Sequence, residues 1–281
     1  MRINNNLMAV NTHRQLGITT GYQAKSMEKL SSGLKINRAG DDAAGLSISE
    51  KMRNQIRGLN QASANSQDAI SLIQTAEGAL TETHNILKRM RELVVKAGNA
   101  GTLQDEDISA IQDEIKELNK ELTGIADRTQ FNGKQLLNGD FNSGIGVFQI
   151  GANSGQTMKL AIQTSGGKGV SASDLGVSGL DVTSLTASGS IDAELKMVDD
   201  AIGQVSSLRS RLGANQNRLE YTIKNLDNAA ENLQSAEARI RDTDMAKEMV
   251  EFTKQNILQQ AAQAMLAQAN QAPQGVLQLL R

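Results

Sequence analysis

The sequence lacks cysteine and tryptophan and holds a single proline. Without a thiol it can form no disulfide, no thiolate nucleophile and no cysteine-based zinc site. Two tyrosines and four phenylalanines are its only aromatic residues, so a core must be built from aliphatic side chains and alanine. Many small contacts spread along an extended interface suit long packed helices better than a compact globule.

Several other features are missing. A net charge of −2 over 281 residues gives no electrostatic attraction to nucleic acid or to an anionic membrane. No apolar run reaches the roughly 18 residues of a membrane span, and the first residues lack the apolar segment of a secretory signal. We therefore expect no nucleic-acid or membrane partner. An ordinary interpretation is a cytosolic protein, although a signal-less secretion route would leave the same sequence.

Apolar side chains recur at helical spacing on both sides of the middle of the chain. Residues 52–94 and about 105–127 each carry a 3-4 stripe, and a similar stripe runs from Ile202 to Ile240. None of these helices can bury its stripe without a partner. Because the stripes match, the sequence predicts that the three helices pack as a long antiparallel coiled-coil bundle.

The two ends of the chain are also predicted to be helices, over about 4–32 and 245–270. The second is apolar on every face and therefore needs burial on every face. Near a chain end, we expect other copies of the chain to supply that burial. The side chains predicted to drive assembly are Leu7, Leu16, Leu30, Met249, Phe252, Ile257, Leu258, Met265 and Leu266.

The middle of the chain has a different composition. Residues 139–190 hold 11 of the 25 glycines and five charged side chains. Residues 147–150 and 158–162 alternate as strands do, with a turn between them over 151–157, so they predict a β-hairpin. Residues 165–190 are rich in glycine and serine and are interpreted as a surface loop.

Candidate catalytic groups are few. The histidines are His13 and His84, and neither is followed by the Glu-x-x-His spacing of zinc proteases. His84 lies on a helical stripe and is predicted to be packed. No combination of nucleophile, base and oxyanion donor can be assembled, so the sequence predicts no enzyme activity, no cofactor and no metal.

Two carboxylate pairs have an ordinary explanation. Asp41-Asp42 and Asp199-Asp200 are each expected to precede a helical segment. Acidic residues at a helix start cap free backbone N–H groups and favour the helix dipole. We therefore predict helix caps here rather than catalytic pairs.

Three long runs carry a family resemblance. They are LSSGLKINRAGDDAAGL at 30–46, QDAISLIQTAEGAL at 67–80 and QANQAPQGVLQLLR at 268–281. Together they resemble the signature segments of bacterial flagellins, and the similarity covers about 1–140 and 195–281. The middle is not diagnostic.

The resemblance implies a filament subunit with a mainly α fold, paired N- and C-terminal helices and a small β-hairpin region. In the family, the chain ends line an inner tube and the flanking helices form an outer tube. This implies an inner domain from 1–44 with 241–281 and an outer domain from 45–240. Because 139–190 has room only for a hairpin and loops, no large additional surface domain is expected.

The resemblance also implies partners and a location. The expected partners are further copies in a helical homo-polymer, a flagellar export chaperone that binds near 245–269, and hook-associated junction and cap proteins. Export would follow the flagellar type III route, without a cleaved signal, to the extracellular flagellum.

One further expectation concerns immunity. The run Leu87–Leu93 resembles the flagellin segment recognised by the innate immune receptor Toll-like receptor 5. The positions that match the receptor-contact motif are Arg89, Leu93 and Glu114. The alternative is that these residues pack subunits together.

Two other functions remain open at this point. A hook–filament junction protein of related architecture would adapt or cap rather than polymerise. An enzyme-bearing flagellin would need catalytic residues in its middle, and the short middle without a His-Glu motif disfavours it.

Overall fold

The computed structural model describes the backbone of residues 6–99, 101–142, 144–164, 166–183 and 188–279, and the side chains of these except 188–190 and 272–279. The described residues are mainly helical. The helices are α1 (Leu7–Ser32), α2 (Ala43–Ala97), α3 (Asp105–Arg128), α4 (Ser188–Arg241) and α5 (Met245–Leu279). Four short strands lie between α3 and α4: β1 (Gln130–Phe131), β2 (Lys134–Gln135), β3 (Val147–Gln149) and β4 (Thr157–Lys159).

The chain divides into two compact units. The terminal unit comprises Met1–Gln55 with Glu231–Arg281, and the central unit comprises Ile56–Ala230. The predicted domain boundaries at 44/45 and 240/241 differ from these by about ten residues. Since this division says nothing about tubes of a filament, the inner and outer domains stay a prediction.

Helices α2 and α4 run antiparallel in the central unit. Arg91 Nε donates to Asp199 Oδ1 at 2.8 Å, and the Ser63 hydroxyl donates to Asp227 Oδ1 at 3.1 Å. Residue numbers therefore rise along α2 as they fall along α4. This confirms the predicted antiparallel packing.

The interpretation of Asp199-Asp200 as a helix start is wrong, because α4 begins at Ser188 and both residues lie inside it. The helix extends further because Leu195 and Val198 continue the apolar stripe, and Val198 is fully buried. Asp199 binds Arg91 instead of capping a helix.

The predicted helical stripes form one core. Every stripe residue predicted in the central unit is buried or half-buried, with large side chains of α2, α3 and α4 at its centre. The central members, each with no measurable exposure, are Ile73, Leu80, Leu87, Met90, Ile115, Leu122 and Leu212. The core of the central unit is therefore mainly aliphatic, as the low aromatic content predicts.

The interpretation of 165–190 as a surface loop is wrong over 170–182. Val170, Val177 and Val182 are each at most 1% exposed and belong to the core of the central unit. The average composition of the segment is polar because these apolar residues are scattered among glycines and serines, and it therefore did not predict their burial. The segment is packed without regular secondary structure.

Buried amide side chains of α3 hold this packed segment. Gln112 Nε2 donates to Leu180 O at 3.1 Å, while Gln112 Oε1 accepts from Val182 N at 2.8 Å. Asn119 Nδ2 donates to Val177 O at 3.2 Å. Side-chain amides satisfy backbone groups that a strand or helix would have paired.

Two short hairpins complete the central unit. The predicted one is confirmed as β3 and β4, in the register Val147↔Lys159 and Gln149↔Thr157. The sequence prediction missed β1–β2, whose turn is Asn132-Gly133 with φ of 50° and 75°. An Asn-Gly pair is a strong signal for such a turn and could have revealed it.

Two helices are longer than their sequence patterns: α2 begins at Ala43 rather than 52, and α5 ends at Leu279 rather than 270. The backbone of α5 continues past position 270 to Leu279, passing Pro273. Proline has no backbone N–H, so the helix continues past this position with one donor fewer. Helix α3 has Gln104 as its N-cap, and Asp107 Oδ2 accepts the Gln104 N–H at 3.2 Å.

Candidate assembly surface

The turns that flank the terminal helices are bound to each other. Lys35 N donates to Arg241 O at 2.6 Å, and Thr243 N donates to Gly33 O at 3.0 Å. Gly33 ends α1 in the left-handed region with φ 71°, where a side chain would be strained. The α1–α2 turn and the α4–α5 turn therefore form one backbone junction within the terminal unit.

Two carboxylates stabilise this junction, and only Asp42 has the predicted role of a helix cap; Asp41 binds the turn before the helix instead. The Asp41 carboxylate accepts the backbone N–H groups of Arg38 at 3.0 Å and Asn37 at 3.2 Å. These hydrogen bonds lower the pKa of Asp41, with the Arg38 bond contributing most. Asp42 Oδ1 accepts from Gly45 N at 2.9 Å in the first turn of α2.

A close approach explains the glycine in the same motif. A Cβ on Gly45 would lie 2.5 Å from Asp42 Oδ2 and 2.9 Å from Ile36 Cδ1. Ile36 itself is 2% exposed. Within the signature run at 30–46, Gly45, Asp42 and Ile36 therefore lie close together in a compact turn, and position 45 has no room for a side chain.

Helices α1 and α5 pack against each other in antiparallel orientation. Asn6 Nδ2 donates to Ala269 O at 2.7 Å, and Lys29 Nζ lies 4.0 Å from Glu248 Oε2. This confirms the predicted pairing of the N- and C-terminal helices.

The buried side chains of these two helices are small or polar. The described ones are Thr19, Ser26, Gln255 and Ala269, at 5 to 8% exposure. The pair therefore buries little large apolar surface of its own.

The large apolar residues of α1 and α5 lie instead on the outer faces. Among the described residues, twelve large apolar side chains of these helices are between 43 and 70% exposed: Leu7, Met8, Val10, Ile18, Tyr22 and Met27 on α1, and Met245, Met249, Val250, Ile257, Leu258 and Met265 on α5. So many large apolar side chains left exposed on one pair of helices indicate an interaction surface.

The predicted assembly residues fall into two groups. Five are exposed: Leu7, Met249, Ile257, Leu258 and Met265. Four are half-buried: Leu16, Leu30, Phe252 and Leu266. The first group is accessible to another molecule, and the second is partly covered within the terminal unit. Their role in assembly stays a prediction.

The predicted assembly set lacks seven members of the exposed surface, and Ile18 and Tyr22 illustrate how they could have been found. Ile18 and Tyr22, at 44 and 57% exposure, lie one helical turn apart on α1. Their spacing of four residues could have identified them as neighbours on one helix face. On α5, Met249, Val250 and Ile257 line a shallow depression together with Thr253 and Lys254.

The predicted receptor-contact residues lie in the central unit, where α2 meets α3. Arg89 donates to Glu114 Oε1 at 2.9 Å and to Glu92 Oε2 at 3.3 Å. These partners raise the pKa of Arg89, Glu114 most strongly. The Leu93 side chain is 2% exposed and lies in the core. Arg89 and Glu114 are accessible to a partner, and the contact role of all three stays a prediction.

His84 is half-buried near two cationic side chains, Lys88 and Arg209. Burial lowers its pKa most, followed by the charges of Lys88 and Arg209. Its Nδ1 has no hydrogen-bond partner among the described residues, and Arg209 contacts Glu77 at 3.6 Å. This environment is that of a packed histidine, as predicted.

Within the described part of the chain, His, Asp and Glu side chains form no group of three that could hold a metal ion. In the same residues, no helix is long and apolar enough to cross a membrane. Long paired helices with large apolar side chains on their outer faces are typical of structural proteins that associate with copies of themselves.

Comparisons with known proteins identify the family. The model of the bacterial flagellin N-terminal helical region matches residues 3–142, and that of the bacterial flagellin C-terminal helical region matches 195–280. The chain belongs to the bacterial flagellin family, whose members are structural proteins rather than enzymes.

Individual relatives agree with this assignment. A flagellin of Bacillus subtilis (strain 168) is 59% identical, over 100% of both chains. A flagellar filament 31.3 kDa core protein of Treponema maltophilum is 50% identical, again over 100% of both. A solved structure described as a flagellar hook-associated protein from Vibrio parahaemolyticus has a TM-score of 0.59 at 18% identity, covering 72% of this chain and 100% of that one. This last similarity shows the fold only.

Proposed function

We propose that this protein is the structural subunit of a flagellar filament and that subunits assemble by burying the outer faces of α1 and α5 between copies. The carrying observation is the set of large apolar side chains that these two helices leave exposed. Full-length similarity to a flagellin and to a flagellar filament core protein supports the proposal.

The energetics favour burial between copies. Fully burying one large aliphatic side chain contributes about 1.5–3 kcal/mol. Association costs about 4–15 kcal/mol in lost translational and rotational freedom. Burial of most of the exposed apolar residues of α1 and α5 is of the size needed to offset that cost.

A single substitution on α5 tests this directly. Ile257 is 61% exposed, so Ile257→Lys should leave the free subunit folded while preventing its addition to filament seeds. The matched control is Ile257→Val, which keeps an apolar side chain and should elongate seeds. Electron microscopy and sedimentation of seeded subunits measure the outcome. Normal elongation by Ile257→Lys would contradict the proposal.

Seeding also separates a filament subunit from a junction protein. Only a filament subunit elongates seeds in bulk, whereas a junction protein adds once and stops. A deletion of 245–281 that still gave normal filaments would exclude assembly through α5.

The tube assignment is part of the same proposal. An inner tube would be formed by 1–44 with 241–281 and an outer tube by 45–240. Cryo-electron microscopy of the filament would test it, because density for α1 and α5 outside the central tube would contradict the assignment.

Further partners follow from the same surface. We propose that an export chaperone covers the apolar face of α5 before assembly, since such a face is an aggregation hazard in a free chain. The subunit would be exported through the flagellar type III apparatus to the extracellular flagellum and would meet hook-associated junction and cap proteins at the filament ends. Loss of chaperone binding in Ile257→Lys, measured by calorimetry, is expected.

We also propose Toll-like receptor 5 as a host partner. Arg89 and Glu114 of the predicted contact would touch the receptor, whereas Leu93, which is 2% exposed, would support the helix surface from the core. The exposed Arg89–Glu114 pair supports it, because charged side chains on a helical surface suit recognition. Arg89→Ala should reduce receptor signalling by free subunits. Arg128→Ala, which removes another exposed ion pair with Glu121, is the control. Unchanged signalling would remove Arg89 from the contact.

A further inference from the structure

The methionines are distributed unevenly between the two units. Among the described residues, Met90 and Met158 of the central unit are at most 2% exposed. Met52 and Met197 are half-buried. The others lie on α1 and α5 and are between 47 and 66% exposed: Met8, Met27, Met245, Met249 and Met265.

The exposed methionines occupy two levels of the α1–α5 pair. Since Asn6 contacts Ala269 and Lys29 approaches Glu248, opposite positions have numbers that sum to about 276. Met8 and Met265 therefore lie near one end of the pair. Met27, Met245 and Met249 lie near the other end.

We infer that these five methionines make the outer faces of α1 and α5 sensitive to oxidation. Their oxidation would decide whether a free subunit can assemble. A hydroperoxide supplies the oxidant. Its O–O bond breaks, one oxygen atom bonds to the methionine sulfur, and water or an alcohol leaves, so the thioether is oxidised by two electrons to a sulfoxide. Reactivity follows exposure, which favours the terminal helices over the central core.

Oxidation of these methionines should weaken association, because they lie on the outer faces of α1 and α5. A sulfoxide is polar, and burying it without a hydrogen-bond partner is unfavourable. This step depends on the proposed function, in which the outer faces of α1 and α5 are buried between copies. The central unit keeps its buried methionines reduced, so an oxidised subunit stays folded and loses only its ability to associate.

Peptide mapping by mass spectrometry is the first measurement. Full-length free subunits treated with dilute hydrogen peroxide should be oxidised at Met8, Met27, Met245, Met249 and Met265 at least about tenfold faster than at Met90 and Met158. Equal rates at the two groups would overturn the inference.

Seeded elongation is the second measurement, on the same treated protein. We expect the critical concentration for assembly to rise at least about tenfold after oxidation, with unchanged helical circular dichroism. Treatment with purified methionine sulfoxide reductases should restore assembly. Undiminished assembly of fully oxidised subunits would overturn the inference.

A variant with all five exposed methionines replaced by leucine is the matched control. Leucine keeps the size and apolarity of methionine but has no sulfur. Because these positions lie on the proposed assembly surface, the variant is compared with itself: peroxide should not change its assembly relative to its own untreated level. Equal loss of assembly in the variant and the parent would show that other residues are responsible. Untreated parent subunits that fail to elongate seeds would instead remove the proposed function, and the inference with it.

Discussion

The central and terminal units use apolar residues in opposite ways. The central unit places large aliphatic side chains of α2, α3 and α4 in one continuous core with almost no exposure. In the terminal unit, large apolar side chains cover the outer faces of α1 and α5, and the buried positions of that pair are Thr19, Ser26, Gln255 and Ala269. Both units are helical, but the central one buries most of its large apolar side chains within a single chain and leaves few exposed, such as Val95 and Tyr221.

The number of elements packed around a helix explains this difference in burial. In the central unit, three helices and a packed segment surround the stripes, so the stripe residues are buried or half-buried. In the terminal unit, the close contact of α1 with α5 involves small and polar residues. The apolar surface that remains outside is available to other copies.

The strongest test of this comparison truncates one aliphatic residue in each unit. Leu87 is fully buried, so Leu87→Ala should lower the free energy of unfolding by about 2–5 kcal/mol. Ile257→Ala, at an exposed position, should change it by less than about 0.5 kcal/mol in the free subunit. Urea unfolding followed by circular dichroism measures both. Equal losses would mean that the two units do not differ in this way.

A second prediction concerns the segment that the sequence pattern placed at the surface. Gln112→Ala removes two hydrogen bonds and leaves Leu180 O and Val182 N buried without this partner. The free energy of unfolding should fall by about 1–3 kcal/mol. Gln67→Ala, at an exposed position of α2, is the control and should be near neutral. A neutral Gln112→Ala would show that the segment does not depend on this side chain.

The pH dependence of the central unit gives a smaller effect. His84 has a lowered pKa in the folded state, so its stabilising contribution is fully present above its unfolded value of about 6.5. As pH falls below that value, the unfolded chain gains a proton that the folded chain resists, and stability decreases. Urea unfolding between pH 7.5 and about 5 should show this decrease.

Substitution isolates the histidine's share. His84→Gln should flatten the pH dependence, whereas Gln67→Ala, at an exposed position of α2, should leave it unchanged. If His84→Gln retained the full slope, another group in the central unit would be responsible.

The smallest effect is expected at an exposed ion pair of the central unit. The Arg91 and Asp199 side chains are each about half exposed, and such pairs contribute about 0.2–1 kcal/mol because water screens them. A double-mutant cycle of Arg91→Ala and Asp199→Ala measures the coupling. A value well above this range would mean that surface charge, as well as the aliphatic core, stabilises the unit.

Much of the fold was predictable from the sequence because periodicity is a local property. The 3-4 stripes predicted α2, α3 and α4, and the alternation at 147–162 predicted one hairpin. The packed segment at 170–182 was not predictable in this way. Its apolar residues have no regular period, and its backbone is satisfied by Gln112 and Asn119, which lie 58 to 70 residues away in the chain.

The candidate assembly site was predictable only in part. An all-round apolar pattern indicated that α5 needs partners, but it could not say which faces α1 covers. Leu16 and Phe252 are half-buried while Leu7 and Ile257 are exposed. All four residues are large and apolar, so the sequence alone does not distinguish them. The antiparallel packing of α1 against α5 decides which of them are exposed.

The sequence by itself determined that this chain is a helical flagellin with an aliphatic core, because residue type and spacing fix helix faces and the signature runs are contiguous. The tertiary structure decided which apolar residues are buried and which stay outside. That outcome depends on contacts between segments far apart in the chain, such as Asn6 with Ala269 and Gln112 with Val182. Burial is a property of the packed chain and cannot be assigned to a residue before its neighbours are known.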